Sequence, residues 1–246
     1  MSISKGKLYL LPSLIGDAEA DKCIPSYNKI IINKLKYFIV EQQRSAYGIL
    51  RSIGFAEKFD DIVFLELNEH TSKEEYKHYL KPALNGNDMG LLSEAGLPCI
   101  ADPGEVIVKA AHLNNIQVIP LSGESSILTA LISSGLNAES FAFNGYLPIP
   151  DKERNAKIRL LEKLSYELNQ TQIFIETPYR NLKLFKSLIK TCNPDTLISI
   201  ACNIKCKDEL IKMKPVYQWN SLPLPDIHKK PSVFCMKYNG PNSFIY

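Results

Sequence analysis

Apolar runs of strand length alternate along the chain with segments whose apolar residues recur at helical spacing. Residues 7–11 read as a first strand, ended by Pro12, and residues 37–40 as a second. A helix over 42–53 follows, closed by Gly54. Residues 62–67 are a third strand, and Thr71 or Ser72 caps a helix with Glu74 and Glu75 in its first turn. A fourth strand over 89–93 leads through a turn rich in glycine and proline to a helix over 105–113, and residues 117–121 form a fifth strand. Strand, helix and strand in this rhythm predict right-handed crossovers and a mostly parallel sheet. Runs that are apolar throughout, instead of alternating, predict strands covered on both faces.

The second half keeps the class and changes the detail. A helix over 125–134 stops at Gly135. Residues 141–146 are a strand, 151–168 a long helix with Lys and Arg along one side, 172–175 a strand and 181–190 a helix. Residues 197–201 and 233–236 complete the strands. The pattern predicts two α/β domains with mostly parallel or mixed sheets, residues 1–121 and 122–246, divided near 121–124. No sequence repeat relates the halves.

Composition narrows the class. A hydrophobic fraction of 45% beside a charged fraction of 22% belongs to a globular chain without long disordered segments. The net charge of +3 neither demands nor opposes a nucleic-acid partner and leaves room for a local basic face. The polar start, residues 1–7, runs into an apolar stretch too short for a signal-peptide core. No run reaches membrane-spanning length, so a cytoplasmic protein without membrane contact is expected. The six cysteines are expected as reduced thiols. Cys202 and Cys206 stand four apart, but none of His70, His78, His112 and His228 clusters with a cysteine. No metal site is expected.

Candidate chemistry gathers where strands end. The segment 90–104 runs from a buried strand into a turn with Gly96, Pro98, Pro103 and Gly104. Ligands in parallel sheets sit beyond the carboxyl ends of strands, and glycine there lets backbone approach a ligand closely. An ordinary strand-to-helix loop reads the same way, and the fingerprints of dinucleotide and P-loop sites are absent. In 120–126, Ser122, Ser125 or Ser126 offers a helix cap whose free N–H groups suit a carboxylate or a ribose hydroxyl. Glu41 and Arg44 follow the second strand, and Glu176, Tyr179 and Arg180 follow the strand over 172–175. Spacings of three and four make an ion pair the default for Glu41 with Arg44, and helix-start pairing the plain alternative for Glu176 with Arg180.

In this order the segments resemble the tetrapyrrole methylase superfamily. The carrying residues are Ser93-Glu-Ala-Gly-Leu-Pro98, Ala101-Asp-Pro-Gly104, Pro120-Leu-Ser-Gly-Glu-Ser-Ser126, Ser134-Gly-Leu136, Phe141-Ala-Phe-Asn-Gly-Tyr-Leu-Pro148 and Phe174-Ile-Glu-Thr-Pro-Tyr-Arg180. The branch it looks most like methylates a cytidine ribose 2′-oxygen in small-subunit ribosomal RNA. The resemblance implies an S-adenosylmethionine-dependent methyltransferase that is a homodimer and holds a folded cofactor in the cleft between two domains. It places Ser93, Glu94, Ala95, Gly96, Leu97, Pro98, Ser125, Ser126, Phe143 and Tyr146 at the cofactor, and Pro12 and Gly16 on the substrate side.

The chain departs from that branch in several places. Glu94 and Leu97 stand for aspartate and threonine, Asp17 for asparagine, Gln42 for the second acid of a pair, and Glu124 for proline. Ala201-Cys-Asn-Ile-Lys205 replaces a charged motif, and the branch's small C-terminal extension is not expected here. A ribose hydroxyl is a weak nucleophile and gains from a base or from stabilised oxyanion charge. Glu41 and Glu176 are the candidate bases, and Arg44 and Arg180 the candidate phosphate or oxyanion partners. Three alternatives stay open: methylation of a tetrapyrrole or other small molecule, a divergent cofactor-binding protein without activity, and an α/β protein that binds no such cofactor.

Overall fold

The computed structural model describes residues 4–241; the extreme ends of the polar start and of the second expected domain lie outside the described residues. The chain divides into two compact units between Ser125 and Ser126.

The first unit holds β1 (Leu8–Leu11), α1 (Ala20–Cys23), α2 (Ser26–Ile32), β2 (Tyr37–Val40), α3 (Gln43–Ser52), β3 (Val63–Glu66), α4 (Lys73–Tyr76), α5 (Lys81–Leu84), β4 (Met89–Leu92), α6 (Glu105–Leu113) and β5 (Val118–Pro120). Its five strands lie in the order β3-β2-β4-β1-β5, and every pairing is parallel. Successive residues of each strand enter two different cores. Tyr9 and Leu11 pack with Phe38, Val40 and Leu92 on one face, while Leu8 packs with Ile39, Met89 and Leu91 on the other. Covering on both faces is why these strands are apolar throughout.

Local signals set the ends of elements. Gly54 follows α3 at φ +98°, with Phe55 N–H donating to the Leu50 carbonyl and Gly54 N–H to that of Arg51. This Schellman closure favours glycine at the left-handed residue. Ser72 caps α4, and Glu75 returns a bond to its N–H, a full capping box. The sequence pattern did not reveal α1, α2 or α5, which are short or begin at proline-bounded turns.

The second unit holds α7 (Ser126–Ser133), β6 (Phe141–Tyr146), α8 (Asp151–Glu167), β7 (Thr171–Glu176), a 3₁₀ turn (Pro178–Arg180), α9 (Asn181–Thr191), β8 (Leu197–Cys202), β9 (Leu210–Pro215), α10 (Val216–Trp219) and β10 (Ser232–Lys237). The strand order is β6-β7-β10-β8-β9. Only β6 with β7 is parallel; β10 runs antiparallel to both neighbours, and β9 antiparallel to β8. The first sheet is thus wholly parallel and the second mixed, within the mostly parallel or mixed sheets that the strand–helix rhythm predicts. The edge strand β9 was not legible because Lys212 and Lys214 break its apolar run, as suits an exposed edge. Helices α8 and α9 cover one face through Ile158, Leu161, Leu184, Phe185 and Leu188, and α7 packs on β8 and β10.

All six cysteines are free thiols. Among the described residues no helix is long and apolar enough to cross a membrane, and no group of three or more His, Cys, Asp or Glu is placed to hold a metal ion.

Candidate functional site

In the first unit β1 leads off to β2 on one side and β4 leads to β5 on the other. Loops at the carboxyl ends of such strands part from each other and leave a crevice, the usual ligand position in parallel sheets. Three loops meet there: 12–16 after β1, 93–98 after β4 and 121–125 after β5. Ser13 N–H donates to the Gly96 carbonyl at 2.9 Å, and Asn28 Nδ2 on α2 donates to the Ser122 carbonyl at 2.7 Å. A Cβ on Gly123 would lie 2.2 Å from Pro12 Cβ, so only glycine lets these two loops touch. Gly96 sits at φ +75°, and a Cβ there would be 3.2 Å from the Glu124 carbonyl oxygen. Cys99 and Ala101 also take left-handed conformations, at φ 67° and 56°. Three such residues in one loop mark a backbone held in place by its surroundings.

Of the residues expected at this place, Pro12, Ser93, Gly96, Pro98 and Ser125 are buried, Leu97 is half-buried, and Gly16, Glu94 and Ala95 are exposed. Sequence reasoning assigned no role to Ser13 or Asp102, although it named Pro12 beside the one and the run Ala101-Asp-Pro-Gly104 around the other. Ser13 is buried, and its Oγ has no hydrogen-bond partner among the described residues. Burying a hydroxyl without a partner costs about 1–3 kcal/mol, so such an atom marks where a ligand fits.

The site is acidic. Glu41, at the end of β2, is held above its ordinary pKa by burial first, then by the carboxylates of Glu94, Asp102 and Glu69. Asp102 is likewise raised by burial and by Glu94, against a hydrogen bond from Ser93. Ser45 Oγ donates to Glu94. Burial, with Asp102 and Glu105 nearby, pushes the Cys99 thiol up to about 11. The expected Glu41–Arg44 ion pair does not form among the described residues. Arg44 is exposed on the first turn of α3, and Glu41 faces acids instead. The turn of helix that was to join them begins one residue later than the pattern indicated, and the Glu66 carboxylate accepts from Gln43 N–H at its start.

In the second unit, Tyr146, Glu176 and Arg180 share the carboxyl ends of β6 and β7. Tyr146 pairs with Ile175 across a register shift that Gly145, at φ +60°, accommodates. Tyr146 is exposed, Phe143 half-buried, and Ser126 half-buried at the start of α7. Glu176 Oε1 accepts from Thr177 N–H at 2.6 Å and from Arg180 Nε and Nη2 at 2.9 and 2.7 Å. The bond to Glu176 raises the Arg180 pKa. Here the pairing alternative is the one the geometry takes.

No protein-family model matches the chain. Ribosomal RNA small subunit methyltransferase I of Streptococcus pyogenes serotype M6 is 30% identical over 219 residues, covering 89% of this chain and 70% of that protein. The same-named protein of Vibrio cholerae is 25% identical over 233 residues, covering 95% and 77%. That of Buchnera aphidicola is 34% identical over 149 residues, and the chain spans about half of its length, 51%. Among solved structures, the methyltransferase CobJ matches with a TM-score of 0.60 at 12% identity, covering 94% of this chain and 93% of that one. Uroporphyrin III C-methyl transferase from Thermus thermophilus matches with 0.55 at 14% identity, covering 94% and 97%. At these identities the two structures share the fold.

Proposed function

The chain belongs to the ribosomal RNA small subunit methyltransferase I family, whose members use S-adenosylmethionine as methyl donor, and on that premise we propose that it methylates a ribose 2′-oxygen in small-subunit ribosomal RNA. The observation that carries the cofactor's place is the meeting of the loops 12–16, 93–98 and 121–125 around Gly96 and Gly123, with the buried Ser13 hydroxyl left without a partner. The donor set suits the molecule. Main-chain groups beside Gly96 suit a nucleoside, and carboxylates with no ion pair among the described residues suit its ammonium, its sulfonium and its ribose hydroxyls. Glu94 replaces the branch's aspartate without losing that charge.

When bound, the cofactor supplies an electrophilic methyl group. The protein's part is then largely positioning and proton handling. Glu41 is the base of this proposal, since its raised pKa makes it a better proton acceptor than a solvated carboxylate. Glu176 is assigned a different role: its Oε1 is occupied by Arg180 and Thr177, so it positions the guanidinium toward phosphate or oxyanion charge. Phe143, Tyr146 and Ser126 complete the cofactor side, and Pro12 and Gly16 the substrate side, as the resemblance implies. A cytoplasmic homodimer is part of the same reading.

The test is direct. Labelled S-adenosylmethionine is incubated with the protein and with small ribosomal subunits from a strain that lacks it. Label on one ribose of the small-subunit RNA supports the proposal. Binding of the cofactor without label on RNA, and with label on a tetrapyrrole, supports the alternative acceptor.

A further inference from the structure

The net charge of the whole chain hides a strong asymmetry. Residues 1–125 carry 13 Lys and Arg against 16 Asp and Glu, whereas residues 126–246 carry 16 against 10. The first unit is thus acidic by three charges and the second basic by six. A polyanion is drawn to the second unit.

Within that unit four of the cations line one groove. An open groove of about 490 Å³ lies between the start of α8 and the length of α9. Lys183, Lys186 and Lys190 line it from α9. Spaced three and four apart, they share one helix face over roughly 10 Å. Arg154 forms the opposite wall, buried and fixed by Ser187 Oγ and the Ile149 carbonyl. The one carboxylate in the lining, Asp151, is already matched by Arg154 and Lys183, each at 2.7 Å. Lys186 and Lys190 are exposed and enter no ion pair among the described residues.

Two further groups point to a nucleic acid more than to a simple anion. Tyr179 stands at the groove with 71% of its surface exposed, and Lys229 Nζ lies 5.6 Å from its ring centre. An exposed ring beside cations is a stacking platform for a base. Asn155 Oδ1 is buried in the lining with no hydrogen-bond partner among the described residues, and a ribose hydroxyl is a donor that suits it. The groove also adjoins the residues 176–180, so a strand lying in it leads to Arg180.

We infer that this groove between α8 and α9 binds the sugar–phosphate backbone of the substrate RNA, with a base on Tyr179. The inference rests on the methyltransferase reading above and extends it to the surface that holds the acceptor strand.

The test uses the full chain and a labelled small-subunit ribosomal RNA fragment, with affinity measured across salt concentrations. Lys186→Glu with Lys190→Glu should weaken binding at least tenfold and lower the slope of log affinity against log salt by about 2. The control pair Lys73→Glu with Lys77→Glu changes the net charge equally on the first unit and should weaken binding less than threefold. Calorimetry with S-adenosylmethionine should give the parent affinity in both variants, which verifies folding. Equal effects of the two pairs, or none in the α9 pair, overturn the groove and leave the enzyme reading standing. A parent chain that binds no RNA at any salt overturns both.

Discussion

Asp102 and Glu41 hold their protons to higher pH in the folded chain than a solvated carboxyl does, chiefly because they are partly buried. The folded state therefore binds more protons than the unfolded state across the carboxylate range. Stability from this source is fullest at acid pH and is lost as pH rises through the raised values. Asp102→Asn removes the ionisation. Calorimetry should find the variant melting above the parent near neutrality and level with it at about pH 4; a constant offset contradicts the assignment. Glu41→Gln should lower turnover about 100-fold at saturating cofactor. Unchanged turnover removes Glu41 from the mechanism. These two acids also show how far single residues were legible. The segment holding Asp102 stood out by its glycines and prolines, whereas the loop holding Ser13 offered one glycine. Yet the setting of the Ser13 hydroxyl and the shift of the Glu41 carboxyl depend on neighbours 53 to 83 positions away in the chain, Gly96 for Ser13 and Glu94 and Asp102 for Glu41.

At the scale of elements, local chemistry decides where helices stop. Gly54 and Gly135 carry the left-handed residue after α3 and α7, and both were readable as glycines. Asn115 and Asn169 do the same after α6 and α8, through bonds from Ile116 to Ala111 and from Gln170 to Ser165. The charged helix α8 is the element whose pattern misled most. Its hydrophilic surface was readable, but Arg154 and Glu162 are buried. Glu162 accepts from Asn193 N–H at 2.7 Å, from Asn193 Nδ2 at 2.9 Å and from the Thr196 hydroxyl, pinning α8 to the turn before β8. Glu162→Ala strands these donors and should cost about 3 kcal/mol, measured by denaturant unfolding. A loss within experimental error shows that the turn holds without it.

For the whole molecule, composition predicted a near-neutral protein, and the two units prove oppositely charged. That separation is hidden in the whole-chain total and emerges when the charges are counted unit by unit, on either side of Ser125. The proposed homodimer belongs to this scale as well. Ile132 and Leu128 stand four apart on α7, 76% and 45% exposed, an apolar pair that a second copy would cover. Sedimentation equilibrium should return twice the 27.7 kDa of one chain; a single-chain mass at micromolar concentration removes the dimer from the reading.

The sequence by itself determined the class of fold, the parallel first sheet and the loops on which the proposed site rests, because strand burial on both faces and glycine at strand ends are written in consecutive residues. Tertiary structure decided the mixed order of the second sheet, since β10 enters between β7 and β8 from 30 residues beyond β8. It also decided which acids face one another and which lysines share a groove. Electrostatic shifts and grooves arise from distances between residues far apart in the chain, and a one-dimensional pattern holds no such distances.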